Sequence, residues 1–336
     1  MKPLEGAIAW LITDGKAGHE AQARGVAEAL GVSYAWRRVT PVGLARMLAP
    51  WGPAPKDDAW QCAPPWPDVA IGVGRTAMPA LRRLHRLAGP ATFTIALQDP
   101  RTSARIADLI WVPEHDSRRG PNVITTLTAP HRFTPAMLDA LRAIPDALID
   151  ALPAPRVMVA VGGAAKVWRF TDEDAAHLAA AIRTMGIQGA SFMVTTSRRT
   201  PATVTAAVSH ALQPYPHVLY TGEGDNPYAR FLAKADAIVV TADSVSMTGE
   251  AVATGRPVYV FRPTGGSDKF RRFHDALEAC GATRPLNRDC HLSLDWGHPP
   301  ILAAEVIAGI VAERVLNRRC YIKRTPDDEC LSEIRK

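Results

Sequence analysis

Asp14, Lys16 and His19 stand close together in the segment "LITDGKAGHEAQARGVAEAL", Leu11 to Leu30, where an apolar run ends and a helical pattern begins. A histidine at a helix start feels the positive end of the helix dipole. That favours neutral imidazole, the form that accepts a proton. The same histidine can instead bond its own loop. Asp14 and Asp99, each at the end of a predicted strand, are rival proton acceptors. Gly15 and Gly18 allow close backbone approach to an anion and Lys16 adds charge. Neither the G-x-x-x-x-G-K-[ST] nor the G-x-G-x-x-G spacing is present.

A second loop, "VAVGGAAKVWRFTDED", puts Gly162 and Gly163 after a strand and adds Lys166. Paired glycines serve an anion site or a tight βα turn equally well; Thr171 with Asp174 predicts a capping box. A third, "ADAIVVTADSVSMTGEAVATGRPVYVFRP", clusters Ser244, Ser246 and Thr248 at a helix start, with Glu250 one turn further in. Hydroxyls there cap the helix or bind phosphate oxygens, and a carboxylate suits a vicinal diol such as a ribose. After Gly265–Gly266, the residues Lys269, Arg271 and Arg272 either close over a ligand or form an ordinary solvated helix start.

These loops need strands before them and helices after them. Strand-like runs at Ala7–Thr13, Ser33–Val39, Asp68–Val73, Thr92–Leu97, Leu109–Val112 and Asn122–Thr126 alternate with helices at His19–Leu30, Thr76–Leu87 and Pro135–Ala151. The alternation restarts after the Pro-punctuated Leu152–Arg156, with strands from Val157–Val161 to Val258–Phe261 and helices between them. The fold class expected is α/β, with two Rossmann-like domains facing a central cleft. The expected divisions are 1–152, 153–300, a helix over 301–318 that packs back on the first domain, and a charged tail over 319–336. The stretch Met47–Val69 breaks the pattern with prolines and with Trp51, Trp60 and Trp66. Those rings are read either as a docking surface for a membrane or protein partner, or as anchors of a loop folded on its own sheet.

The 336 residues are 47% apolar and 21% charged, ordinary for a soluble globular chain and long enough for two domains. No run approaches ~20 uninterrupted apolar residues, and the N-terminus reads as a first strand and not as a signal peptide. Five scattered cysteines without a C-x-x-C pair point away from zinc and disulfides and towards a reducing, cytoplasmic setting. The net charge of +6 admits nucleic acid, anionic lipid or a phosphorylated ligand. Dispersed arginines without a nucleic-acid motif argue against the first.

The third loop resembles the nucleotide-sugar signature of the GT-B superfamily: Ser, a carboxylate six or seven residues on, then Gly-x-Pro-Val. That resemblance implies Ser244 beside a diphosphate and Glu250 on ribose hydroxyls. "DGKAGH" is similar to the first glycine loop of the peptidoglycan N-acetylglucosaminyltransferase, Gly-Gly-x-Gly-Gly-His, with Asp14 and Ala17 in place of two glycines. The wider set "GHEAQARGVAEALG", "SRRTP", "GDNPYARFLAKADA", "VTADSVSMTGEAVATGRPVYVF" and "KFRRFHDAL" resembles the mitochondrial-fission (elongated mitochondria) family. Its plant members sit on the mitochondrial outer surface and help recruit a dynamin-related protein. The Ala-, Arg- and Pro-rich usage here points to a bacterial source.

The resemblance implies a metal-independent glycosyltransferase that needs no cofactor beyond its nucleoside-diphosphate sugar. Gly162, Gly163, Lys166, Ser197, Arg198, Arg199, Ser244 and Ser246 would meet the diphosphate charge. His19, Asp14 or Asp99 would take the proton of an acceptor, which a membrane could carry to the chain at its inner face. A non-catalytic recruiting protein and a nucleotide-sugar epimerase are the alternatives.

Overall fold

The computed structural model describes residues 2–288 and 290–324, without the side chains of 57, 58 and 321–324, so residues 325–336 of the expected tail lie outside it. Contacts divide the chain into one unit of 1–132 with 303–336 and a second of 133–302.

In the first unit β1 (Ile8–Thr13), β2 (Ser33–Arg38), β3 (Val69–Val73), β4 (Phe93–Leu97), β5 (Leu109–Pro113) and β6 (Val123–Thr126) form one sheet in the order β2-β1-β3-β4-β5-β6. Every pairing is parallel. β3 and β4 are buried throughout, which is why they read as unbroken apolar runs. Helices α1 (Ala17–Leu30) and α4 (Met78–Ala88) cover opposite faces, with a separate apolar core under each. α1 stops at Gly31, whose φ of 78° is the left-handed conformation of a helix C-cap.

The Pro-rich excursion holds two short helices, α2 (Gly43–Leu48) and α3 (Asp57–Trp60). Trp60 is buried, and Trp66 meets Trp10 edge-on at 6.2 Å between ring centroids. Both rings therefore anchor the loop on its own sheet, whereas Trp51 is 66% exposed.

The second unit runs α5 (Pro135–Ala143), α6 (Ala147–Asp150), β7 (Arg156–Val161), α7 (Asp172–Ile187), β8 (Ser191–Thr196), α8 (Ala202–Leu212), β9 (His217–Tyr220), α9 (Tyr228–Lys234), β10 (Ala237–Thr241), α10 (Val245–Val252), β11 (Val258–Phe261), α11 (Asp268–Ala279) and β12 (Arg284–Pro285). Its sheet is again parallel, in the order β12-β11-β10-β7-β8-β9. The capping box read at Thr171 and Asp174 opens α7.

The division of the chain differs from the one read at Leu152–Arg156, which falls inside the second unit. Residues 133–152 belong there because Arg142 donates to Ala233 O at 2.8 Å, Lys234 pairs with Asp150 at 2.6 Å and Arg230 pairs with Asp146 at 3.2 Å. The single helix read over Pro135–Ala151 is two helices, parted at Pro145, which has no N–H to donate. The last helix, α12 (Ala303–Arg324), lies in the first unit and buries Ile307, Ala308, Val311, Ala312 and Val315 in the core it shares with α1. Its end is held by ion pairs from Arg318 to Asp108 and from Arg319 to Asp68.

Candidate functional site

Strand order reverses between β1 and β3 in the first unit and between β7 and β10 in the second. In open parallel sheets such reversals open a crevice beyond the C-terminal strand ends. The chemistry-bearing loops of the sequence lie at these two places.

In the first unit Asp14 follows β1, and His19 is in the first turn of α1. His19 Nδ1 lies 2.7 Å from Asp14 Oδ1, while Lys16 Nζ at 2.6 Å and Thr76 Oγ1 at 3.2 Å donate to Asp14 Oδ2. Burial works to raise the Asp14 pKa, but the hydrogen bonds from Lys16 and His19 and the charge of His19 outweigh it and bring it down to about 2. An ionised carboxylate only accepts, so Nδ1 of His19 carries a proton and neutral imidazole turns its lone pair to Nε2. Asp14 and His19 are thus one dyad and not rivals. Gly74, at φ 80°, makes room for the ring, since a Cβ there would sit 2.4 Å from His19 Cε1. A Cβ on Gly15 or Gly18 would meet nothing within 4 Å, so neither is required for close packing. Asp99 stands outside the dyad: it binds Arg118 Nη1 at 2.7 Å and the Arg101 N–H at 2.9 Å.

In the second unit three loops are knit together. The Gly162 N–H donates to Thr241 Oγ1 at 2.7 Å, the Gly163 N–H to Asp243 Oδ2 at 2.9 Å, and Thr241 Oγ1 to Asp243 Oδ1 at 2.7 Å. The Ala164 N–H donates to Arg199 O at 3.2 Å. A Cβ on Gly162 would lie 2.2 Å from the Asp243 carboxylate, and one on Gly163 would lie 2.2 Å from the Arg199 carbonyl. The paired glycines therefore serve close packing of the β7, β8 and β10 turns, and both amides are engaged within the protein. Burial pushes the Asp243 carboxyl up, against the hydrogen bonds from Thr241 and Gly163 and the charge of Arg199.

The hydroxyls divide as well. Ser244 caps α10 by accepting from the Met247 N–H at 3.2 Å, and Thr248 is buried, donating to Ser244 O at 3.0 Å. Ser246 is exposed, as are Lys166, Arg198 and Arg199. Ser197 accepts from the Arg199 N–H at 3.2 Å and so shapes the turn that presents those arginines. Glu250 is not the unpaired carboxylate that the sequence suggests, because Tyr228 Oη donates to its Oε2 at 2.7 Å. Burial, with the charge and hydrogen bond of Glu250, holds the Tyr228 phenol well above its usual pKa, so it stays a donor.

A cavity of about 280 Å³ opens at the start of α11, lined by Trp168, Gly265, Gly266, Arg271 and His274 among others. It borders the β10 turn, since His274 Nε2 donates to Ala242 O at 2.8 Å. Burial lowers the His274 pKa to about 4. Among the described residues no group of three His, Cys, Asp or Glu is placed to hold a metal ion, and no helix is long and apolar enough to cross a membrane.

Two parallel α/β units with loops gathered at both reversals define the class as GT-B-like. Solved structures that share this fold include a Listeria monocytogenes structure described as a UDP-N-acetylglucosamine 2-epimerase (TM-score 0.55, 12% identity, 93% of this chain and 95% of that one), and the UDP-GlcNAc 2-epimerase of Methanocaldococcus jannaschii (TM-score 0.53, 10% identity, 94% and 99%). The model of the family described as Mitochondrial fission ELM1 matches residues 17–315, and the chain belongs to that family. It is 29% identical to the mitochondrial fission protein ELM1 of Arabidopsis thaliana over 70% of this chain and 61% of that protein. It is 31% identical to an uncharacterised Rickettsia prowazekii protein over 46% of this chain and 45% of the other. The matches thus span about half to three-fifths of those relatives' length.

Proposed function

We propose that the chain is a GT-B-type glycosyltransferase that takes a nucleoside-diphosphate sugar on the second unit and needs no metal. One observation carries this reading: the knitted β7, β8 and β10 turns present Lys166, Arg198 and Arg199, all exposed, with Ser246 at the start of α10. A leaving diphosphate gains negative charge, and cations beside a helix N-terminus stabilise it. Glu250, held by Tyr228, is assigned to the ribose, and the cavity at α11 to the sugar. The Asp14–His19 dyad, with its Nε2 lone pair, is assigned the acceptor's proton.

A panel of UDP- and GDP-sugars tests this by thermal shift. A bound donor raises Tm, and Glu250→Ala abolishes the rise; no shift with any member overturns the reading. The named role of the Arabidopsis relative suggests a second reading, a non-catalytic recruiting protein. The saturated amides of Gly162 and Gly163 favour it, because the turn is complete without a ligand. An epimerase would share the donor site, and inversion of the sugar with no acceptor added would identify it.

A further inference from the structure

The segment 42–51 carries an apolar stripe on the outside of the protein. Leu44, Met47 and Leu48 fall at the i, i+3, i+4 spacing of one helical face, and Trp51 follows one turn later. A helix with that pattern ordinarily buries it, yet α2 has no buried residue. Val42 is 80% exposed, Leu44 68%, Met47 74% and Trp51 66%.

The stripe is held in place from below. Ala49 and Pro50 are buried, and two arginines grip the surrounding carbonyls. Arg75 donates to Arg46 O at 3.2 Å and Ala49 O at 2.9 Å, and Arg82 to Pro50 O at 3.3 Å, Trp51 O at 3.2 Å and Gly52 O at 2.5 Å. Arg82, which binds the Trp51 carbonyl, also lines a cavity of about 450 Å³ together with Lys56, Arg83 and Arg86. The stretches 42–58 and 75–87 hold Arg46, Lys56, Arg75, Arg82, Arg83 and Arg86 against the two acids Asp57 and Asp58, so basic residues predominate.

We propose that this face docks on the surface of a bilayer containing anionic phospholipid, with Leu44, Met47 and Trp51 entering the headgroup boundary and Lys56 and Arg86 of the cavity receiving lipid phosphate. Exposed aliphatic and aromatic groups on a segment held by Arg82, which also lines a basic hollow, match the layered chemistry of such a surface, apolar within and anionic at the edge. The carbonyls from 49 to 52 are engaged by Arg75 and Arg82, so the loop offers few directional backbone bonds to a protein partner. A fluid lipid surface requires none. Trp51 takes the interfacial role, its indole having an apolar body and one polar N–H. The inference stands independently of sugar transfer.

Sedimentation of the full chain with phosphatidylcholine vesicles, with and without phosphatidylglycerol, tests it. The wild-type chain is expected to pellet with the anionic vesicles and to release as salt rises. Lys56→Glu with Arg86→Glu, and separately Leu44→Ser with Met47→Ser and Trp51→Ser, should each weaken pelleting by about tenfold or more with Tm unchanged. Brominated lipid should quench wild-type fluorescence more than that of Trp51→Phe. Wild-type protein left in the supernatant, equal binding to neutral vesicles, or variants that pellet like wild type would each overturn the proposal. Binding of a protein partner by this face in the absence of vesicle binding would overturn it as well.

Discussion

His19 Nδ1 faces Asp14 Oδ1 at 2.7 Å, and that carboxylate is also held by Lys16 and by Thr76 from the loop after β3. The contact fixes the imidazole tautomer. Long-range ¹⁵N–¹H correlation of neutral His19 should show the proton on Nδ1 in the wild type. Asp14→Asn offers both a donor and an acceptor, so a mixture of tautomers is expected. Thr76→Val should keep the wild-type tautomer while loosening the ring. An Nε2–H signal in the wild type would remove the dyad from any proton-transfer role.

Tyr228 and Glu250 form the other specific pair. Replacing Tyr228 by Phe removes a donor from a carboxylate in a partly buried site, which costs about 1.5–3 kcal/mol for a hydrogen bond to a charged group. A double-mutant cycle with Glu250→Gln, followed by urea unfolding, should return a coupling of order 1 kcal/mol. Additive effects would mean that the contact contributes nothing to stability, and Glu250 would then owe its position to packing.

The strands were legible because parallel strands covered on both faces leave unbroken apolar runs, as in "VAIGV" and "AIVVT". Loops at their C-terminal ends followed from the alternation. What sequence reading missed is which polar groups the fold uses itself. Glu250 reads as available until Tyr228, 22 residues earlier, is folded against it. Gly162 and Gly163 read equally as an anion cradle or a tight turn until Thr241 and Asp243, about 80 positions on, take their amides. Thr76 was hidden in the same way, its partner being 62 residues away. Asp243, two residues past the end of β10, was findable, since a carboxylate at a strand reversal sits where the facing turn's amides converge. The boundary was misjudged because the α5 and α6 segment declares its partner only through contacts with α9.

Packing at Gly162 gives a sharper test. A methyl group there would meet the Asp243 carboxylate at 2.2 Å, and that carboxylate is itself held by Thr241 and the Gly163 N–H. Gly162→Ala should lower stability by about 1–3 kcal/mol, the usual cost of overpacking. Asp243→Ala should cost a similar amount, because the Gly163 N–H loses its acceptor in a buried place. The double variant removes the clash, so its loss should fall below the sum of the single losses. Strict additivity in denaturant titrations would show that the turn relaxes around the methyl and is looser than these contacts require.

His274 makes stability depend on pH in a window of its own. Its Nε2–H is committed to Ala242 O, and Nδ1 is buried without a hydrogen-bond partner, so a second proton would have no acceptor. Burial accordingly lowers its pKa from the ordinary 6.5 to about 4. Between those values the unfolded chain binds the proton and the folded chain does not. Stability therefore rises with pH through the window and falls as pH drops from 6.5 towards 4. At 1.36 kcal/mol per unit the whole shift is worth about 3 kcal/mol. His177, also lowered by burial, adds to the same slope, so the test is a difference between proteins. His274→Gln places an amide N–H near the position of Nε2 and cannot titrate. Urea midpoints measured from pH 7 to pH 4.5 should fall less steeply for it than for the wild type. Parallel slopes would mean that the imidazole is solvated in solution and that the floor of the α11 cavity opens to water.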